Sequence, residues 1–121
     1  MSDFAINVSR VQDECVIEVG GDLDLASAED VTAVGLIAVS TLDVDRLVLD
    51  VTQVGFADST GLSALIRIRD AASEASCTVT LRGAQLQLVR VLALTGLTDM
   101  FTIEPVDDAP DSRGREDRIA G

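Results

Sequence analysis

Residues 46–65 read RLVLDVTQVGFADSTGLSAL. The first third, 46–52, is almost continuously apolar, as expected of a central strand buried on both faces. From Ser59 to about Ala75 the pattern becomes amphipathic. Arg67, Asp70 and Glu74 share one side, while Leu62, Leu65, Ile66, Ile68 and Ala72 lie mostly opposite. Arg69 falls near the apolar edge, and the pattern gives it no task. An apolar strand that passes straight into an amphipathic helix is half of a βαβ unit, which places the chain among α/β folds with parallel, right-handed crossovers.

The flanking segments extend this pattern. Residues 4–10 alternate apolar and polar (Phe4, Ile6, Val8), as suits an edge strand covered on one face. Gln12, Asp13 and Glu14 make a polar turn, and residues 15–19 return as the second strand of a hairpin, ended by Gly20-Gly21. Ser27 followed by Asp30 has the spacing of a capping box, with Glu29 adding acid to the first turn. The expected helix therefore spans 28–41, with Val31, Val34, Ile37 and Ala38 on one face. Residues 77–82 alternate as a strand, 85–94 form a third helix closed by Gly96, and 101–103 form a short last strand. The order β-β-α-β-α-β-α-β predicts a single α/β domain over 1–105, an open mixed β-sheet with helices mainly on one face. Residues 106–121 have almost no apolar content and are expected to be a disordered acidic tail.

Composition narrows the function. A chain of 121 residues, 47% hydrophobic, can bury roughly two thirds of its unfolded surface, and with 2% aromatics its core is built from Val, Leu, Ile and Ala. Twenty-one acids against nine bases, all Arg, give a formal net charge of −12. Such a surface repels phosphate backbones and anionic lipid, so no nucleic-acid or membrane partner is expected. No apolar run reaches a membrane span and the first residues lack a signal-peptide pattern, so the expected location is cytoplasmic. The absence of His excludes a serine–histidine triad and a Cys/His zinc site. Cys15 and Cys77 are far apart in sequence, both at strand starts without a basic neighbour, and read as small buried hydrophobes.

The chemistry gathers in Asp58-Ser59-Thr60-Gly61 at the strand–helix junction, where the carboxyl ends of strands and the free amides of helices meet. One of Asp58 and Ser59 is the helix N-cap, which leaves at least one hydroxyl without a structural task. Gly61 weakens the first helical turn by up to about 1 kcal/mol relative to Ala. That is useful where another backbone, or a nucleotide phosphate, comes close. A phosphate on Ser59 would sit at a helix N-terminus, which favours an anion locally, and would add roughly −1.5 to −2 charges beside Asp58. Asp22, Asp24 and Asp58 could instead converge as a metal or acid–base cluster. The plainer account is solvated loop carboxylates and a cap, so no metal, cofactor or enzymatic activity is expected. No GxxxxGK[ST] phosphate loop is present.

Three stretches carry a resemblance. GGDLDLASAEDV (20–31) resembles the GELDLATA segment of bacterial anti-sigma-factor antagonists, the STAS-domain family. VLDVTQVGFADSTGL (48–62) resembles their LDLSxVxFxDSSGL, and LRGAQLQLVRVLALTGLTDMF (81–101) their closing helix and last strand. The resemblance implies that Ser59, directly after Asp58, is the phosphorylated serine and that Asp24 lies near it. It also implies a partner-facing surface running from Asp58 through Ser59, Thr60, Gly61 and Leu62 to Ser63, with Asp22 and Asp24 alongside. Asp22 stands where Glu is usual, and Thr60 replaces a second Ser. The implied function is partner switching. The unphosphorylated protein binds an anti-sigma factor that is a serine kinase of the histidine-kinase-like ATPase fold, phosphorylation of Ser59 releases it, and a PP2C-type phosphatase resets it. The alternative within the same family is a non-phosphorylated STAS scaffold or transporter-associated interaction module.

Overall fold

The computed structural model describes residues 4–41 and 44–105. The expected tail, 106–121, lies outside them, so the division into domain and tail remains an expectation. The elements follow in the order β1 (Ala5–Val11), β2 (Glu14–Gly20), α1 (Leu25–Thr41), β3 (Arg46–Gln53), α2 (Ser59–Glu74), β4 (Thr78–Ala84), α3 (Leu86–Leu94), a 3-10 turn (Thr98–Met100) and β5 (Thr102–Pro105). The sheet order is β1-β2-β3-β4-β5, with β3 in the middle. β1 and β2 form the antiparallel hairpin, turned at Gln12–Asp13, and every other neighbouring pair is parallel. The fold class expected from the sequence is the one observed.

Register sorts the strand residues into two faces. Cys15 and Ile17 of β2 align with Leu47 and Leu49 of β3 and Val79 and Leu81 of β4, and with Val19 and Val51 make an apolar face. Val31 and Ala38 of α1, Leu62, Leu65 and Ile68 of α2, and Leu88 and Leu92 of α3 join the same buried cluster. Burial of each such aliphatic side chain contributes about 1.5–3 kcal/mol. α1 and α2 pack closely because Gly35 leaves room for Ile68, which a Cβ at that position would overlap.

The other face is different, and here β3 departs from expectation. Between its apolar residues β3 presents Arg46, Val48, Asp50 and Thr52 to a polar face. Arg46 donates to Glu104 at 2.7 Å and to Thr80 at 3.3 Å, and Arg82 donates to Glu104 at 3.0 Å. Glu14 completes the ladder within 3.6 Å of Arg46 and 3.8 Å of Arg82. Val48 lies among these side chains and is buried without a helix partner in the apolar cluster. The run 46–52 is therefore covered by helices on one face, while on the other Val48 is buried and Arg46, Asp50 and Thr52 are half-buried.

α1 begins three residues before its expected start. Asp24, not Ser27, caps it: Asp24 Oδ1 accepts from the amides of Ala26 at 3.1 Å and Ser27 at 3.3 Å. Ser27 answers by accepting from the Asp24 amide at 3.0 Å and donating to the Asp22 carbonyl at 2.8 Å. Ile37, placed on the buried face by its spacing, is exposed. Arg69 now has a task, donating from Nε to the Met100 carbonyl at 3.1 Å and so tying α2 to the turn before β5. Gly96 follows α3 with φ +75°, the left-handed conformation expected there.

Both cysteines are buried and free, as expected. Their surroundings are less neutral than the sequence suggested. Burial pushes the Cys15 thiol up and Arg10 pulls it partly back; burial, with Asp45 adding to it, also pushes Cys77 up. Both therefore stay protonated and unreactive near neutral pH.

Candidate functional site

At the carboxyl end of the sheet, two loops lie side by side. Leu23 and Ala57 form an isolated parallel bridge, with the Leu23 amide donating to the Phe56 carbonyl at 2.9 Å and the Asp58 amide to the Leu23 carbonyl at 3.1 Å. These bonds set the Asp22-Leu23-Asp24 segment against Phe56-Ala57-Asp58. The two acidic motifs, more than thirty residues apart in sequence, thus become neighbours at the starts of α1 and α2.

Each motif supplies a cap. Asp58 is the N-cap of α2, and its Oδ1 accepts from the Gly61 amide at 2.9 Å. Asp24 caps α1 in the same way. Among the described residues no group of three or more acidic or sulfur side chains is arranged to hold a metal ion. Asp24 and Asp58 are each aimed at backbone amides, and Asp22 is exposed.

With Asp58 as the cap, Ser59 becomes the first residue of α2. It is exposed, and its hydroxyl has no hydrogen-bond partner among the described residues, while its carbonyl accepts from Ser63 Oγ at 3.0 Å. Thr60 is half-buried, Leu62 is buried in the core and Ser63 is exposed. Gly61 and Leu62 are both buried and thus belong to the helix's inner face and not to the surface expected of 58–63. Gly61 has a more specific reason than helix loosening. A Cβ there would collide with the Leu23 carbonyl oxygen. The close neighbour that the glycine admits is this chain's own Leu23 backbone, and the space is already filled, so no nucleotide phosphate enters through it.

Some features of this end are not marked in the sequence. Leu25, Phe56 and Leu86 are 74%, 47% and 61% exposed, each beside one of the two loops or at the first turn of α3. Gln87 of α3 also reaches across. Its Oε1 accepts from the Ala57 amide at 3.2 Å and its Nε2 donates to the Ala57 carbonyl at 3.3 Å. An exposed Leu at helix position one is the only local hint of the first set. Nothing local marks Gln87.

Residues 6–104 match the family described as Mlab, STAS domain. The chain belongs to the STAS-domain family. Among solved structures, an anti-sigma factor antagonist from Mycobacterium paratuberculosis superimposes with a TM-score of 0.76 at 23% identity, over 88% of this chain and 89% of that one. The anti-sigma factor antagonist SpoIIAA in its unphosphorylated form gives 0.68 at 16% identity, over 86% and 91%. A sulfate transporter family protein from Wolinella succinogenes gives 0.67 at 18% identity, over 81% and 82%. At such identities these structures establish a shared fold. In this STAS domain, as described, no helix is long and apolar enough to cross a membrane.

Proposed function

We propose that this STAS domain is an anti-sigma-factor antagonist that works by partner switching, with Ser59 as the phosphorylated residue. The observation that carries the proposal is the division of labour at the α2 start. Asp58 meets the helix's need for a cap, and the adjacent hydroxyl is left exposed and, among the described residues, unbonded. A hydroxyl with no structural task, at a helix N-terminus that favours an anion, suits reversible phosphorylation.

The unmodified protein binds an anti-sigma factor that is also a serine kinase of the histidine-kinase-like ATPase fold. Docking uses the exposed part of 58–63 with Asp22 and Asp24 alongside, and Leu25, Phe56 and Leu86 give apolar contact around them. The kinase transfers a phosphoryl group to Ser59, whose roughly two new negative charges beside Asp58 repel an acidic or phosphate-bearing partner surface. A PP2C-type phosphatase restores the hydroxyl. The protein is a substrate in this cycle and not an enzyme, and it acts in the cytoplasm.

The test is binding to the kinase partner by Ser59→Ala and Ser59→Asp, measured by calorimetry on purified proteins. Ser59→Ala is expected to bind as the unmodified protein does and Ser59→Asp more weakly, towards the 100-fold that about 2.7 kcal/mol represents. The non-phosphorylated scaffold or transporter-associated module draws support from the fold shared with the sulfate transporter family protein. It predicts equal binding by both variants.

A further inference from the structure

We infer that Gln87 is a positioning residue for Ser59, holding the loop before α2 by pairing with both backbone groups of Ala57. The inference rests on the assignment of Ser59 as the phosphoryl acceptor.

Ala57 sits between two partners. On one side Leu23 forms the parallel bridge, and its amide and carbonyl are taken by Phe56 and Asp58. On the other side, where a further strand would run, stands the carboxamide of Gln87. A carboxamide offers the same donor and acceptor as a peptide group. Gln87 therefore extends the sheet by one residue's worth of pairing, from the first turn of a helix that lies thirty residues away in sequence. Ala57 is buried, so losing Gln87 leaves its amide and carbonyl short of a partner. Two residues further on is Ser59, whose own side chain makes no hydrogen bond among the described residues to hold it. Its place is set by the backbone, fixed by the Asp58 cap on the helix side and by Ala57 on the strand side. A transferring phosphate needs its acceptor oxygen within a narrow range, and a misplacement of about 1 Å costs on the order of 100-fold in rate.

Gln85, in the same turn, supplies the control. Its Nε2 donates to the Thr52 carbonyl at 2.7 Å, at the end of β3, and among the described residues it makes no hydrogen bond to Ala57.

Gln87→Met keeps the length of the side chain and removes both bonds; Gln87→Glu keeps the acceptor and removes the donor; Gln85→Met removes a comparable bond elsewhere. Amide hydrogen exchange at Ala57 is followed by NMR on each full-length protein, and phosphorylation by the kinase that wild type binds is followed as kcat and KM. The expected result for Gln87→Met is exchange at Ala57 about tenfold faster or more. Its kcat should fall by about tenfold or more with KM close to wild type. Gln87→Glu sets a carboxylate oxygen against the Ala57 carbonyl, so its exchange and kcat should suffer at least as much as those of Gln87→Met, and it decides the matter if Gln87→Met does not fold. Gln85→Met should match wild type in both readouts. Unchanged exchange at Ala57, faster exchange with wild-type kcat, or equal losses in Gln85→Met would each overturn the inference. If wild type itself gains no phosphate while binding the kinase, the assignment of Ser59 fails and the positioning role goes with it, whatever the exchange shows.

Discussion

At the scale of single residues, the strand–helix junction is built by exclusion. Gly61 is glycine because the Leu23 carbonyl occupies the space of a side chain. This reverses the expectation from helix propensity alone, by which Gly61→Ala would stabilise the first turn by up to about 1 kcal/mol. The clash is with backbone, which cannot swing away, so Gly61→Ala should destabilise by about 1–3 kcal/mol in urea unfolding. A stabilised variant would mean that the two loops do not approach as described. Asp24 has two duties that substitution can separate. Asn caps a helix as well as Asp does, so Asp24→Asn should melt within a few degrees of wild type, whereas Asp24→Ala should lose about 1 kcal/mol. Only the charge is removed by Asn. A drop in kinase binding by Asp24→Asn, at unchanged stability, therefore assigns the carboxylate to the partner; unchanged binding would leave it a cap alone.

At the scale of elements, the junction of β3 and α2 could be read in the sequence because the period changes there, from continuous apolar residues to a helical repeat. The start of α1 could not be fixed as well. Asp24 to Ser27 and Ser27 to Asp30 both have the three-residue spacing of a reciprocal cap, and Leu25, exposed at the first helical position, offers no apolar register to choose between them. Gln87 was invisible for another reason: its partner is a backbone peptide thirty residues away, and such pairing leaves no local pattern. The polar face of the sheet was hidden by Val48, which makes β3 look doubly covered. That face also ties the last strand to the sheet. Hydrogen bonding from Arg82, with the bond from Arg46 adding to it, holds the Glu104 carboxyl below its usual range near 4.5. A carboxylate depressed in the folded state contributes stability above its unfolded pKa, and that contribution is lost as pH falls through the folded value. The groups are partly exposed and screened, so Glu104→Gln should cost no more than about 1 kcal/mol at neutral pH. Urea titrations of both proteins should converge below the usual carboxylate range. A difference that persists in acid would show that the ladder acts by packing and not by charge.

At the scale of the whole molecule, the fold divides its tasks between the two ends and two faces of one sheet. Helices cover the apolar face, the charged ladder lies on the other, and the carboxyl end gathers two capped helix starts, the exposed leucines and Phe56, and the Ser59 hydroxyl, unbonded among the described residues. In a protein of net charge −12, a further phosphate is a small change in total charge but a large one at that end. The most direct measurement is mass-spectrometric mapping after incubation with the bound kinase and ATP, on wild type, Ser59→Ala and Thr60→Ala. Thr60 is the control because one residue further along a helix turns the side chain by roughly 100°. Wild type and Thr60→Ala are expected to gain one phosphate on Ser59, and Ser59→Ala to gain none while still binding. A phosphate on Thr60, or none on wild type with a kinase that demonstrably binds it, would contradict the account.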